Sequence, residues 1–163
     1  MRLPAETIYN ALFNTVCGIN APQPNGQPSL TPLVTMSRRW VKWDQIGDIP
    51  LPGLFQMQPP EGIGISEKRQ FGPKRYVLHA AIFIYLPVDS GNLNTPSSPQ
   101  LNAYFKAIDD ILGPTIQSPG GARQQLGLGP AIEEAAIDGN VIYDEGLVAP
   151  PAMLVFPITI ICG

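Results

Sequence analysis

The sequence has few of the residues on which enzymes depend. Histidine occurs once, at position 79, and cysteine occurs twice, at positions 17 and 162. A Ser-His-Asp or Cys-His arrangement would need His79, but His79 lies in a very apolar stretch with no nucleophile near it in sequence. One histidine and two distant cysteines also cannot form a zinc site of the usual kinds. We therefore expect His79 to be a packed structural residue, and we predict no catalytic residue, no metal site and no bound cofactor.

The carboxylates are also arranged poorly for catalysis. They occur as the adjacent pairs Asp109-Asp110, Glu133-Glu134 and Asp144-Glu145. Adjacent side chains on a helix or strand point in different directions, so such pairs make poor general acid/base dyads. The sequence therefore predicts that the chain is not an enzyme. A small hydrolase that uses His79 is kept as the enzymatic alternative.

Charged residues and long apolar runs are scarce. The charged fraction is 14%, against about 25% in typical soluble domains. Either partners cover much of the surface, or uncharged loops rich in the 19 prolines and 16 glycines occupy much of it. The most apolar stretches, 76–86 and 152–162, are too short to span a bilayer as helices. We expect a cytoplasmic product without a membrane segment. Cys17 and Cys162 are expected as reduced thiols, with a single disulfide as the alternative.

The charges that are present are distributed unevenly. Residues 1–75 contain eight basic and five acidic side chains, and residues 76–163 contain two and eight. This polarity fits a field that steers one charged partner. It also fits a head-to-tail contact between copies, which closes into a ring. A third possibility is that the two halves interleave in the fold and the asymmetry disappears.

Hydrophobic periodicity predicts one α+β domain over residues 1–163. We expect a mixed, mostly antiparallel sheet of about five strands with two helices packed on it. The last strand is expected near a sheet edge, because Pro157 cannot donate to a ladder. Proline-rich and glycine-rich stretches predict two projecting loops, at 20–32 and 59–73, although an extended hairpin is an alternative for 59–73. The helices are predicted at 4–16 and 98–112, and the strands at 33–37, 53–58, 75–86, 131–143 and 153–161.

A basic, tryptophan-containing segment is the best candidate for an interaction surface. Arginine beside tryptophan is typical of protein interfaces, and it would also suit a wall that faces DNA. The net charge of −3 favours a protein interface. The acidic turn at 144–145 is a second candidate. The candidate interface residues are Arg38, Arg39, Trp40, Lys42, Trp43, Lys68, Arg69, Lys74, Arg75, Asp144 and Glu145.

A succession of short motifs along most of the chain resembles the tail terminator family of long-tailed bacteriophages. The sequence departs from the family pattern in the proline-rich arm 20–32 and in the Cys162-Gly163 ending. The segments that carry the resemblance are Ser37-Arg38-Arg39, Trp43-Asp44-Gln45-Ile46, Pro52-Gly53-Leu54-Phe55, a long strand like 74–85, Leu101-Asn102, Ala107-Ile108-Asp109, Gln125-Leu126-Gly127, Ile137-Asp138-Gly139, Asp144-Glu145-Gly146 and Phe156-Pro157-Ile158-Thr159-Ile160.

The resemblance implies a structural virion protein without catalytic residues. Members of this family form a hexameric ring that caps the tail tube, stops its polymerisation and joins the head. The implied partners are further copies of the chain, the major tail tube protein and a head-completion or connector protein, with nonspecific DNA contact possible in the lumen. The implied location is the tail or neck of the virion, assembled in the host cytoplasm. Another neck component is the alternative within this structural class.

Overall fold

In the part of the chain that the structure describes, two α-helices pack on one face of an open, seven-stranded mixed sheet. A computed structural model describes residues 1–20, 31–67, 74–88, 97–113, 123–146 and 151–163. This architecture confirms the predicted α+β class and the mostly antiparallel sheet. The strand number is seven rather than about five. The predicted loop 20–32 lies largely outside the described residues.

The helices are α1, Ala5–Cys17, and α2, Ser98–Leu112, close to their predicted bounds. Apolar residues recur every three or four positions in each, so each helix buries one face against the sheet. Pro99 lies in the first turn of α2, as its fixed φ angle favours. The hydroxyl of Ser97, the residue before α2, donates to the Glu145 carbonyl at 3.0 Å instead of capping the helix. The buried helix residues are Ile8, Tyr9, Leu12, Val16, Leu101, Tyr104, Ile108 and Leu112.

Two long strands form the centre of the sheet, and pairs of short strands flank them. The strands are β1 (Thr35–Ser37), β2 (Gly53–Met57), β3 (Ile63–Glu67), β4 (Arg75–Leu86), β5 (Ile132–Ile137), β6 (Ile142–Asp144) and β7 (Ala152–Cys162). Long strands β4 and β7 pair antiparallel over their whole common length. On the outer side of β4 lie β2 and β3, and on the outer side of β7 lie β5 and β6. β1 adds to β2 in parallel.

Both flanks of the sheet are interrupted beside the middle of the long strands. One interruption, 58–62, separates β2 from β3 and contains Gly62 at φ +61. The other, 138–141, separates β5 from β6 and contains Gly139 at φ +113, which confirms the predicted bend. The predicted single strand 131–143 is therefore two strands. Part of the predicted loop 59–73 is strand β3, in agreement with the hairpin alternative.

The prediction that the last strand lies at an edge is wrong, because β7 is central. In an antiparallel strand the N–H and C=O of one residue point to the same neighbour. The Pro157 carbonyl accepts from the Asp138 backbone N–H at 2.9 Å. The donor that proline lacks would thus point at interruption 138–141, where the flanking ladder is already broken. Pro157 is tolerated because of that break.

The main core lies between the helices and the even-numbered residues of β4 and β7. Leu78, Ile82 and Phe156 are fully buried there. Two hydrogen bonds tie α1 to the sheet: the Tyr9 hydroxyl donates to the His79 carbonyl at 3.1 Å, and Gln56 Nε2 donates to the Tyr9 carbonyl at 3.1 Å. These bonds fix α1 over the β2–β4 side of the sheet.

A second, smaller core lies on the opposite face. Phe55, Tyr85 and Ile46 are buried there under the connecting segment 38–52. The Tyr85 hydroxyl donates to the Val41 carbonyl at 2.9 Å, and the Trp40 ring packs 5.4 Å from that of Phe83. Segment 38–52, which contains Trp40 and Trp43 and is called the tryptophan segment below, is thereby held against the end of the sheet where β4 finishes.

Both cysteines are free thiols, with Cys17 half-buried and Cys162 buried. Burial raises the pKa of Cys17 from its ordinary value of 9.0 to about 11, and burial also raises the pKa of Cys162. The thiolate is the reacting species, so the folded chain contains little of it near neutral pH.

Iodoacetamide at pH 8 should alkylate Cys17 roughly a hundredfold more slowly in the folded chain than in urea, because the thiolate fraction changes tenfold per pH unit of pKa shift. The check is peptide mass spectrometry of samples quenched over time. The urea-unfolded chain provides the matched control for intrinsic reactivity. Equal labelling rates in the two states would contradict the buried placement.

Candidate assembly surfaces

His79 lies on the sheet face away from the helices, in an open depression of about 400 Å³. Its cross-strand neighbour is Thr159, whose hydroxyl donates to Asp138 at 3.0 Å. In a catalytic triad the carboxylate would orient the imidazole, and the imidazole would bind the hydroxyl. Here the carboxylate binds the hydroxyl directly. This contact is not the relay that a hydrolase using His79 would need.

The two halves of the chain occupy opposite flanks of the sheet. The strands that precede β4 in sequence (β1, β2 and β3) all lie on one side of it, and β5, β6 and β7 lie on the other. The strands of the first half of the chain therefore form one flank of the sheet and those of the second half form the other, although the described part of the first flank, residues 31–67, has three basic and four acidic side chains. In the sheet the two halves do not interleave.

The flank formed by β1, β2 and β3 includes the predicted basic segment around the tryptophans. The Arg38 guanidinium binds Glu6 and also Asn10 on α1, and hydrogen bonding to Arg38 holds the pKa of Glu6 below its usual range. Arg39 is exposed, and Lys42 pairs with Asp44 at 2.9 Å. Arg38 thus anchors the segment to α1, while Arg39 points a charge into solvent.

The two tryptophans differ in their packing contacts and in their solvent exposure. The Trp40 ring lies against Phe83, whereas Trp43, in the short 3-10 helix Trp43–Gln45, is 42% exposed. Trp43 is therefore the more accessible ring for a partner on this flank.

The remaining predicted basic residues lie elsewhere. Arg75 begins β4 and pairs with Glu133, with Nε 2.9 Å from Oε1, across the end of β7. It is eight residues along β4 from Phe83, roughly 26 Å away. Lys74 beside it is exposed. Lys68 and Arg69 lie outside the described residues. The structure therefore does not bring Arg75 to the tryptophan segment.

The predicted acidic residues end β6 on the opposite flank. Asp144 pairs with Met153 of β7, and its carboxylate accepts from the Gly146 backbone N–H at 2.8 Å. The carbonyl of Glu145 accepts from Ser97. Both residues shape the turn that leaves β6, and the Asp144 side chain is exposed to solvent.

Exposed apolar residues at the sheet edges were missed by the sequence analysis. Apart from Met1, every large exposed hydrophobic among the described residues lies on an outer strand, immediately before one, or in the tryptophan segment. A sequence cannot reveal this directly, because exposure depends on which strand ends the sheet. The alternation Ile63-Gly64-Ile65 was the available signal. The residues are Val34, Met36, Trp40, Trp43, Ile63, Ile65, Ile142 and Tyr143.

No protein-family model matches the chain, and no curated protein is significantly similar to it. Neither helix in the described part of the chain is long and apolar enough to cross a membrane. Within the described ranges, no three histidine, cysteine or acidic side chains are grouped as metal ligands would be.

Proposed function

We propose that the chain is a tail terminator of a long-tailed bacteriophage. Six copies would form a ring that caps the tail tube, stops its polymerisation and offers the surface that joins the head. The succession of motifs from Ser37-Arg38-Arg39 to the closing strand supports the family. The structural observation that carries the proposal is the pair of unlike, exposed edges on opposite flanks of one sheet.

Two sheet edges that differ in charge favour a head-to-tail contact between copies over a contact between identical edges. On one flank the exposed Arg39 lies beside exposed apolar side chains, and on the other flank the exposed carboxylate of Asp144 does, so the first flank of one copy complements the second flank of the next. Such a heterologous contact forms a closed ring when its rotation closes. Exposed edge strands are normally shielded or paired, because they promote association. A ring would cover both edges of every copy.

The terminating mechanism would be steric and thermodynamic. A ring that matches the last layer of the tube covers the surface on which the next layer would add. Its opposite surface differs, so tube subunits find no equivalent site above it. The head-completion or connector protein would bind there, and nonspecific DNA contact in the lumen would come from basic side chains. No step requires a catalytic residue.

Another neck component is the second candidate, because a connector or tail completion protein would use the same kind of ring. Its predicted position differs: it would remain with heads that lack tails, whereas a terminator would remain on free tails. Electron microscopy of tails labelled through a tagged copy separates the two.

Reversing charge at Arg38 and Arg39 together should give tails of irregular length or particles without heads, because these two positive charges would no longer attract the acidic flank of a neighbouring copy. Arg38→Glu also places a carboxylate beside Glu6 and would disturb the contact with α1. Arg39→Glu alone therefore tests the interface without changing that contact. The measurement is the distribution of tail lengths in micrographs. Lys106→Glu is the matched control, since Lys106 is exposed on α2 and pairs only within its helix with Asp110. Normal virions from Arg39→Glu would remove that residue from the interface.

A further inference from the structure

We propose that Trp43 of one copy inserts into the depression beside His79 on the next copy, with Arg39 beside the acidic rim of that depression. The inference rests on the proposed ring and names a contact that joins its neighbouring copies. The occupant of the depression is thus a second copy of this chain.

The depression follows from the two interruptions of the sheet. Interruptions 58–62 and 138–141 each remove a flanking strand from beside β4 or β7, at nearly the same level of these two long strands. The floor between them consists of small or apolar side chains, among them the cross-strand pair Ala81 and Pro157. Both helices pack on the other face of the sheet, so neither of them covers this floor.

The rim of the depression is acidic. Glu61 comes from the first interruption and Asp138 from the second, both are exposed, and no lysine or arginine is among the described residues that line the depression. Neither carboxylate forms an ion pair within the described part of the chain. Asp138 accepts from the Thr159 hydroxyl through one oxygen, which leaves the second as an acceptor. The depression therefore complements an apolar side chain that has a hydrogen-bond donor and lies beside a cation.

Trp43 has the size and the chemistry that this depression requires. Its side chain is 42% exposed. The depression has a volume of about 400 Å³, near the lower end of the range for ligand sites, about 300–1,000 Å³. Such a volume suits one large side chain rather than a helix or a strand. The indole is an apolar ring with a single N–H donor, and a rim carboxylate can accept from it. Burial of the ring on the apolar floor would stabilise the contact.

Arg39 supplies the positive charge beside Trp43. Segment 38–52 has three basic and two acidic side chains, so its net charge is only +1 (3 − 2). Arg38 and Lys42 are paired with carboxylates of the same copy. Arg39 is exposed, and it forms no ion pair in the ranges that the structure describes. The charge complementarity of the contact therefore depends on this one side chain and not on the net charge of its flank.

The tryptophan segment does not fill the depression of its own copy. No residue of 38–52, all of which the structure describes, lines that depression. The segment is anchored through Val41 to Tyr85, and Tyr85 lies four residues along β4 from Ala81, roughly 13 Å away. Each copy therefore offers Trp43 at one site and a depression at another. A contact between two different sites is heterologous, and it forms a ring when its rotation closes.

Photocrosslinking tests the contact directly. The purified full chain with Trp43→p-benzoylphenylalanine keeps a large aromatic side chain, which inserts into nearby C–H bonds on irradiation. This variant is mixed with isotope-labelled wild-type chain, with and without tail tube protein, so that a crosslink between copies joins an unlabelled peptide to a labelled one. We expect such crosslinks to peptides that contain Pro59, Val155 or Pro157, which line the depression. Crosslinks between copies at other peptides alone, or none at all, would overturn the inference.

Tyr143→p-benzoylphenylalanine is the matched control. Tyr143 is 44% exposed, close to the value for Trp43, but it pairs with Leu154 on the helix side of the sheet. Its crosslinks between copies should not include the peptides of the depression. If position 143 labelled those peptides as well as position 43 does, the contact would not be specific to Trp43 and the inference would be wrong.

A charge exchange tests the ion pair independently of crosslinking. Arg39→Glu should weaken assembly roughly tenfold or more in analytical ultracentrifugation, with unchanged circular dichroism. Combining it with Glu61→Arg or with Asp138→Arg should restore assembly, because the two charges are then exchanged. Arg39→Glu with Asp109→Arg is the control, since Asp109 is exposed on α2, on the other side of the sheet. Restoration by the control pair, or by neither rim variant, would contradict the contact.

Failure of this contact and failure of the ring give different results. Rings of normal mass from Trp43→Asp would overturn the contact and leave the proposed ring intact. A wild-type chain that stays monomeric with tube protein, or that stops at two copies, would contradict the ring itself. Wild-type rings that leave tails uncapped would contradict the terminator function alone.

Discussion

Phe156→Ala should lower the free energy of unfolding by about 3–5 kcal/mol, the range for truncating a fully buried phenylalanine. Phe156 is 0% exposed in the middle of β7, opposite Ile82 on β4. Its ring stacks 6.1 Å from that of Phe105 on α2. Truncation would leave a cavity where the sheet meets α2, and the close-packed neighbours could fill it only in part.

Urea unfolding followed by circular dichroism measures the loss. Ile65→Ala is the control, because Ile65 lies at an outer edge and exposed substitutions usually change stability by no more than about 0.5 kcal/mol. Both variants should be compared at one low protein concentration, since assembly stabilises the folded state. A loss at Phe156 no larger than at Ile65 would contradict the two-layer core.

Tyr85→Ala should cost a similar amount, about 3–5 kcal/mol, and it should also release the tryptophan segment. Tyr85 is fully buried in the second core and its hydroxyl bonds the Val41 carbonyl. Without the ring, segment 38–52 loses its main support on the sheet. Trp40 should become more solvated, which would shift its fluorescence to longer wavelength, and proteases should cut within 38–52.

Tyr85→Phe separates the two contributions. It keeps the ring and removes one hydrogen bond, so it should cost only about 1 kcal/mol and leave the fluorescence nearly unchanged. Limited proteolysis with mass spectrometry locates any cut. If Tyr85→Ala left segment 38–52 protected, the segment would be held by other contacts and the second core would be misassigned.

Periodicity and length explain which elements could be predicted from the sequence. The helical spacing of Ile8, Leu12 and Val16 was sufficient to predict α1, and the long apolar runs were sufficient to predict β4 and β7. β6 was not distinguished from β5, and β3 was anticipated only by the hairpin alternative for 59–73, because short edge strands bury few side chains. Pro157 led to the wrong prediction that β7 lies at a sheet edge. The backbone donor that proline lacks matters only where a neighbouring strand would accept it, and at interruption 138–141 no strand lies beside Pro157 to do so.

The candidate surfaces were predicted less completely. The tryptophan segment was found through its composition, and Trp43 remains accessible there. Met36 and Tyr143 carry no chemical signature, since apolar residues in strands are usually buried. Their exposure follows from the strand order, which places β1 and β6 on the outer sides of the sheet. Long-range pairing of this kind cannot be read from local sequence.

The mass of the native assembly tests the central claim most directly. The purified 17.6 kDa chain, alone and with tail tube protein, should give a species of six copies by native mass spectrometry. Negative-stain micrographs of the same sample should show rings, and tube ends bearing one. A strict monomer under both conditions would contradict the account.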